Sequence, residues 1–151
     1  MSGAINTGTG PRTSVAASNS LISTHPAYQA YLILYAGFVA LPIVAGSDKF
    51  FHLLAPWDQY LAPVVTRTLS VNANTFMMVV GVIEIAAGVL VALRPRVGAY
   101  VVALWLCGII LNLLLVPGFY DIALRDFGLS LGALALARLS QEFSNLPHLG
   151  Q

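Results

Sequence analysis

Charge is what this sequence has least of. Only 9% of its 151 residues are Asp, Glu, Lys or Arg, against about 25% in an ordinary soluble domain. So few charges cannot clothe a water-facing surface of this size. The formal net charge is +1 and no Lys/Arg-rich run occurs, which leaves no basic field to hold nucleic acid. There is one cysteine, Cys107, within an apolar run. It cannot close an internal disulfide, and apolar surroundings keep a thiol protonated, so it reads as a small lipid-facing or core residue. His25, His52 and His148 are far apart, and no Cys/His/carboxylate spacing suggests a metal. A Gly-rich phosphate loop, a nucleophile elbow and an HExxH helix are all missing. These absences leave no catalytic residue to assign and no cofactor of the chain's own.

What the sequence has in excess is apolar length: 58% of it is hydrophobic and the mean hydropathy is +0.80. Four apolar runs lie at about 28–46, 74–93, 97–115 and 119–139. Each approaches the roughly 20 residues needed to cross about 30 Å of hydrocarbon. The first three hold a single charged side chain, Glu84. Arg94-Pro95-Arg96 and Pro117-Gly118 punctuate the later runs as tight turns, so successive helices should be antiparallel neighbours. The expected fold is therefore all-α, an integral membrane four-helix up-down-up-down bundle. Pro42 falls inside the first helix and should bend it.

The expected domain layout is a polar, flexible N-terminal tail at 1–27, a transmembrane domain at 28–140 and a short C-terminal tail at 141–151. The tail does not read as a secretory signal, because the apolar stretch starts too late and no small-residue cleavage site closes it. Residues 47–73, between the first two runs, mix aromatics with polar groups. They read as an amphipathic segment in the membrane interface, with Trp57 and Tyr60 as anchors. Arg12, Arg94, Arg96 and Arg138 would share one side, against Lys49 and Arg67 on the other. That excess places both termini in the cytoplasm.

Ionisable groups at membrane depth are costly, so they usually pair and face the interior. The candidates are Lys49 after the first helix, Glu84 in the second, Asn112 near the end of the third, and Asp121, Arg125 and Asp126 early in the fourth. Antiparallel order puts them all toward the outer half, within roughly 15 Å of depth. Asp121 and Arg125 are spaced i,i+4 and can pair. Gly81, Glu84 and Gly88 share one stripe, and Arg125, Gly128 and Gly132 share another, so small residues could carry the polar groups into helix contacts. Two readings of this cluster stand open: structural glue that sets helix register, or a site for a polar headgroup, quinone or proton.

Gly46-Ser47-Asp48-Lys49-Phe50-Phe51, the Glu84 stripe with Gly88, and Arg125-Asp126 with Gly128 together resemble the DoxX-like membrane proteins, over about residues 30–140. The resemblance implies a four-helix bundle in a bacterial cytoplasmic (inner) membrane, with Lys49, Glu84, Arg125 and Asp126 as the family-type polar positions. The family takes its name from a subunit of a thiosulfate:quinone oxidoreductase, and some members accompany oxidoreductases or stress-response partners. The long amphipathic link and the polar tail depart from its plainest members.

Three functions follow as expectations. One is a non-catalytic membrane subunit or scaffold, partnered by lipid and by other membrane subunits or further copies of itself. Another is a quinone-linked oxidoreductase subunit whose outer polar cluster binds a lipid or quinone headgroup. The last is a small proton or solute transporter, although residues 28–93 and 97–139 show no repeat of the kind many transporters carry.

Overall fold

The computed structural model describes residues 25–143, and all of their regular structure is helical. Helix α1 spans Pro26–Phe51, a 3-10 turn spans Trp57–Tyr60, and α2 spans Pro63–Leu69. Helix α3 spans Ala73–Leu93, α4 Pro95–Leu114 and α5 Tyr120–Phe143. Most of the N-terminal tail and of the C-terminal tail expected from the sequence lies outside the described residues.

Local chemistry sets the ends. Pro26, Pro63 and Pro95 open α1, α2 and α4, where a missing N–H costs nothing. The Asn72 side chain caps α3 by accepting from the Asn74 N–H at 2.9 Å. Helix α1 stops when His52 turns left-handed at φ 53°. Gly118, at φ 97°, supplies the turn before α5 that a side chain would resist. α1 runs through Pro42 without a break.

The expected simple four-helix transmembrane bundle needs correction. The described residues form five helices and a 3-10 turn, and three helices are long and apolar enough to cross a membrane: α1, α3 and α4. The fourth expected span, α5, has the length at 24 residues. It fails on charge, since every 18-residue stretch of it contains at least three of Asp121, Arg125, Asp126, Arg138 and Glu142. The link, expected as an amphipathic segment that Pro56 and Pro63 break into short pieces, is broken there but starts later than expected. Its first residues extend α1 to Phe51, because Asp48 and Lys49 find partners that let them stay helical and buried, and the rest becomes the turn and α2.

α1 packs most extensively on α3, and α4 on α5, while α3–α4 and α1–α5 contacts close the ring. The pairs are antiparallel: the Tyr35 hydroxyl donates to the Ala92 carbonyl at 3.0 Å at one end, and Lys49 reaches Glu84 toward the other. The core is built from Phe38, Ala87, Val91, Ala99, Val102, Ala103, Ala133, Leu136 and Ala137. Only 11% of the residues in α1's most apolar stretch are buried by the protein itself. Ile33, Leu41 and Val44 point outward, as do Leu104 and Leu111 on α4. Water would penalise that surface and hydrocarbon does not, so the fold is that of a small multi-pass membrane protein. Aromatic rings gather at both ends: Tyr28, Tyr31, Tyr35 and Phe143 at one, and Trp57, Tyr60 and Phe119 at the other. The interface favours such rings.

Glycines set the α1–α3 distance. A Cβ at Gly46 would lie 2.5 Å from the Gly81 carbonyl oxygen, and one at Gly81 would lie 2.6 Å from that of Gly46. Neither backbone can yield without separating the helices. Gly81→Ala should therefore cost about 1–3 kcal/mol, the usual penalty for overpacking. Gly108→Ala, at a position with open space around it, should stay within about 0.5 kcal/mol of the parent. Thermal or denaturant unfolding in detergent, monitored by circular dichroism, checks the pair; equal losses at both positions would contradict this account of the packing.

Candidate functional site

The Lys49 Nζ donates to Glu84 Oε2 at 2.6 Å, and both residues are buried, at 3% and 8% exposure. The reach follows from helix geometry. Lys49 lies two residues from the end of α1, while Glu84 lies 11 residues into α3, roughly 16 Å along its axis. Gly81, one turn before Glu84, leaves room for the Lys49 stem, whose Cβ would sit only 3.2 Å from a side chain added there. On its far side the ammonium lies 3.9 Å from the ring centroid of Trp57, a cation–π contact that strengthens when water is excluded.

Trp57 is held over Lys49 by Asp48. The Asp48 carboxylate accepts from the Leu53 and Leu54 N–H groups at 3.0–3.1 Å and from the Trp57 indole N–H at 2.7 Å. Residues 52–62 thus form a strap across this end of the helices. Its second fastening is Asn112 on α4, whose Nδ2 donates to the Tyr60 carbonyl at 2.6 Å and whose Oδ1 accepts from the Ala62 N–H at 2.9 Å. Leu61 and Ala62 are buried beneath it, and Leu61 packs with Met77 and Val80.

The third element is α5. Asp126 is buried and binds its neighbour Arg125, with Nε and Nη2 each 3.0 Å from Oδ1. The Arg125 side chain itself is 65% exposed. Asp126 lies close enough to act on the Glu84 carboxylate, and so does Trp105 of α4. The Trp105 indole N–H is buried and turned toward Glu84 without a well-formed hydrogen bond. Among the described residues no group of His, Cys, Asp and Glu side chains gathers to hold a metal.

Comparison with protein-family models, with curated proteins and with solved structures found no match to this chain. The site's chemistry is therefore read from its own geometry.

Of the residues singled out in the sequence, Lys49 and Glu84 form one pair and Arg125 and Asp126 another. Asn112 does not join: its amide is spent on the strap. Asp121 is exposed and pairs with none of the described residues, and Arg125 turns to Asp126 instead. Trp57 and Tyr60 are half-buried members of the strap. The Arg125, Gly128 and Gly132 stripe is not the packed face of α5. Arg125 and Gly128 are exposed, and the buried line runs through Ala123, Asp126, Ser130, Ala133, Ala137 and Ser140. Sequence reasoning missed two contributors, Asp48 and Trp105. Asp48 looked like a loop residue, and the only available signal was the pairing of an acid late in a helix with a tryptophan shortly after it.

Asn112→Leu should release the strap without unfolding the helices, since it removes two hydrogen bonds and leaves two backbone groups unsatisfied, about 1–3 kcal/mol in local stability. Hydrogen exchange should speed up across residues 52–62 and stay unchanged in the middle of α3. Faster exchange spread evenly over every helix would refute this assignment.

Proposed function

We propose that this chain is a non-catalytic integral membrane subunit or scaffold, DoxX-like, that packs within a larger assembly of a bacterial cytoplasmic membrane. One observation carries the reading: the polar side chains buried among the apolar helices are spent on one another. Lys49 goes to Glu84 and Trp57, Asp48 to three N–H donors, Asn112 to two backbone groups and Asp126 to Arg125. Such an arrangement fixes helix register and rotation, and little is left over to perform chemistry. Lipid and other membrane subunits are the partners this surface suits. The first turn of α1, the Arg94 turn and the end of α5 lie at one end of the molecule. With Arg94, Arg96 and Arg138 gathered there, that end is the cytoplasmic one by the excess of positive charge.

A second reading has its own support. The Trp105 N–H, buried without a well-formed hydrogen bond, and the two buried carboxylates Glu84 and Asp126 would suit a quinone headgroup or a transferable proton in a quinone-linked oxidoreductase subunit. Native mass spectrometry of protein released from its own membranes separates the two readings. A bound quinone lost on Glu84→Gln would favour the second, and stoichiometric protein partners without quinone would favour the first.

The glue reading makes a sharper demand on stability. Lys49→Met alone strands a buried carboxylate and should cost about 3–5 kcal/mol. Lys49→Met combined with Glu84→Met should return to within about 1 kcal/mol of the parent, because an apolar pair of similar volume replaces a buried ion pair at little net cost. Denaturation in detergent micelles measures both; a double variant no better than the single would contradict a purely structural pair.

A further inference from the structure

Helix α5 presents an outward face that neither hydrocarbon nor water suits. The charged side chains of α1 and α3, namely Asp48, Lys49 and Glu84, are all buried, and α4 has only Arg96, in its first turn. On α5, by contrast, Asp121, Arg125, Arg138 and Glu142 are exposed. Between them Leu124, Gly128, Leu131 and Ala135 follow one another at four-, three- and four-residue steps, all exposed, so they form a single stripe along the helix. Leu124 is 72% exposed, and a Cβ at Gly128 would meet nothing within 4 Å. Charges at both ends are costly against acyl chains, and the apolar stripe between them is costly in water.

We infer that this face docks a second copy of the same chain, α5 against α5 in parallel. The inference rests on the membrane-subunit reading and names one partner for it. Charge selects the occupant. Each end of the face holds one acid and one base a single turn apart, Asp121 with Arg125 and Arg138 with Glu142. Two copies inserted in the same orientation bring these ends to the same depth, so each acid meets a base of its neighbour and each base an acid. A uniformly basic or acidic partner, or an anionic lipid headgroup, would leave half of the charges unmatched. Gly128 lies between the two charged ends, where the absence of a side chain lets two backbones approach closely. The contact is isologous and closes at two copies.

The test uses the full chain in its own membranes, in a Cys107→Ala background, with single cysteines introduced by Leu124→Cys, Gly128→Cys or Leu131→Cys on the face and by Leu41→Cys on the outward side of α1. Mild oxidation should give disulfide-linked dimers from the α5 positions and little from Leu41→Cys. Adding Asp121→Arg, which leaves the Arg125–Asp126 pair intact, should lower dimer yield about tenfold, the effect of losing an interhelical polar contact. The same reversal at the other end, Glu142→Arg, should lower it likewise, and combining Glu142→Arg with Arg138→Glu should restore it. Equal cross-linking from α1 and α5 would overturn the inference, and so would indifference to the charge reversal. If the α5 cysteines instead join a different protein, or no protein while partners still co-purify, the second copy is refuted and the subunit reading survives. If no partner of any kind is recovered from native membranes, both fall.

Discussion

The contact between Lys49 and Glu84 is the one on which the rest of this structure leans. A lysine and a glutamate buried among apolar helices are each expensive, and close pairing offsets much of that expense in a medium without water. Meeting that need fixes the surroundings. α1 must stay helical past Gly46 to deliver Lys49, Gly46 and Gly81 must let α1 and α3 approach closely, and Trp57 must lie over the ammonium. Asp48, next to Lys49, then has the task of holding Trp57 there. A polar sequence that looks like the start of a loop is in this way drawn into the end of a helix.

The second constraint is the mismatch between what the helices bury against each other and what they expose. α1, α3 and α4 leave most of their apolar surface uncovered by protein, so lipid completes their packing. α5 differs in kind. Its buried face is mostly small residues, Ala123, Ser130, Ala133, Ala137 and Ser140, with Asp126 and Leu136 among them. Ser130 and Ser140 satisfy their hydroxyls within α5, donating at 2.7 Å to the Phe127 and Leu136 carbonyls, as hydroxyls inside helices commonly do. Such a face packs closely, and α5 makes its most extensive contacts with α4.

Much of this could be read from the residues, because hydropathy is summed over long windows and survives local error. The apolar runs around 28–46, 74–93 and 97–115 correspond to α1, α3 and α4. The reading failed where the outcome depended on partners distant in sequence. From sequence the first helix ends at Gly46, because Ser47-Asp48-Lys49 looks solvated when its distant partners, Glu84 and Trp57, are out of view. The Leu and Ala content of α5 suggests a span, although its charges outnumber those of any other long helix. Its glycine stripe looks like the inner face, whereas the Ala/Ser line one position away does most of the packing. Depth alone groups Asn112 with the charges, but side-chain direction sends it to the strap.

The most direct test of the account is a depth profile. Nitroxide labels placed singly at Ile33, Leu41, Val82 and Leu104, and at Phe51 and Leu54 of the strap end, can be read in lipid bilayers for their relative accessibility to oxygen and to a water-soluble nickel chelate. The account predicts an oxygen-rich, nickel-poor environment at the first four positions and a shift toward nickel at the last two. Nickel access equal at all six would mean that water surrounds these helices, and the reading of Lys49 and Glu84 as a pair held together by the absence of water would be wrong.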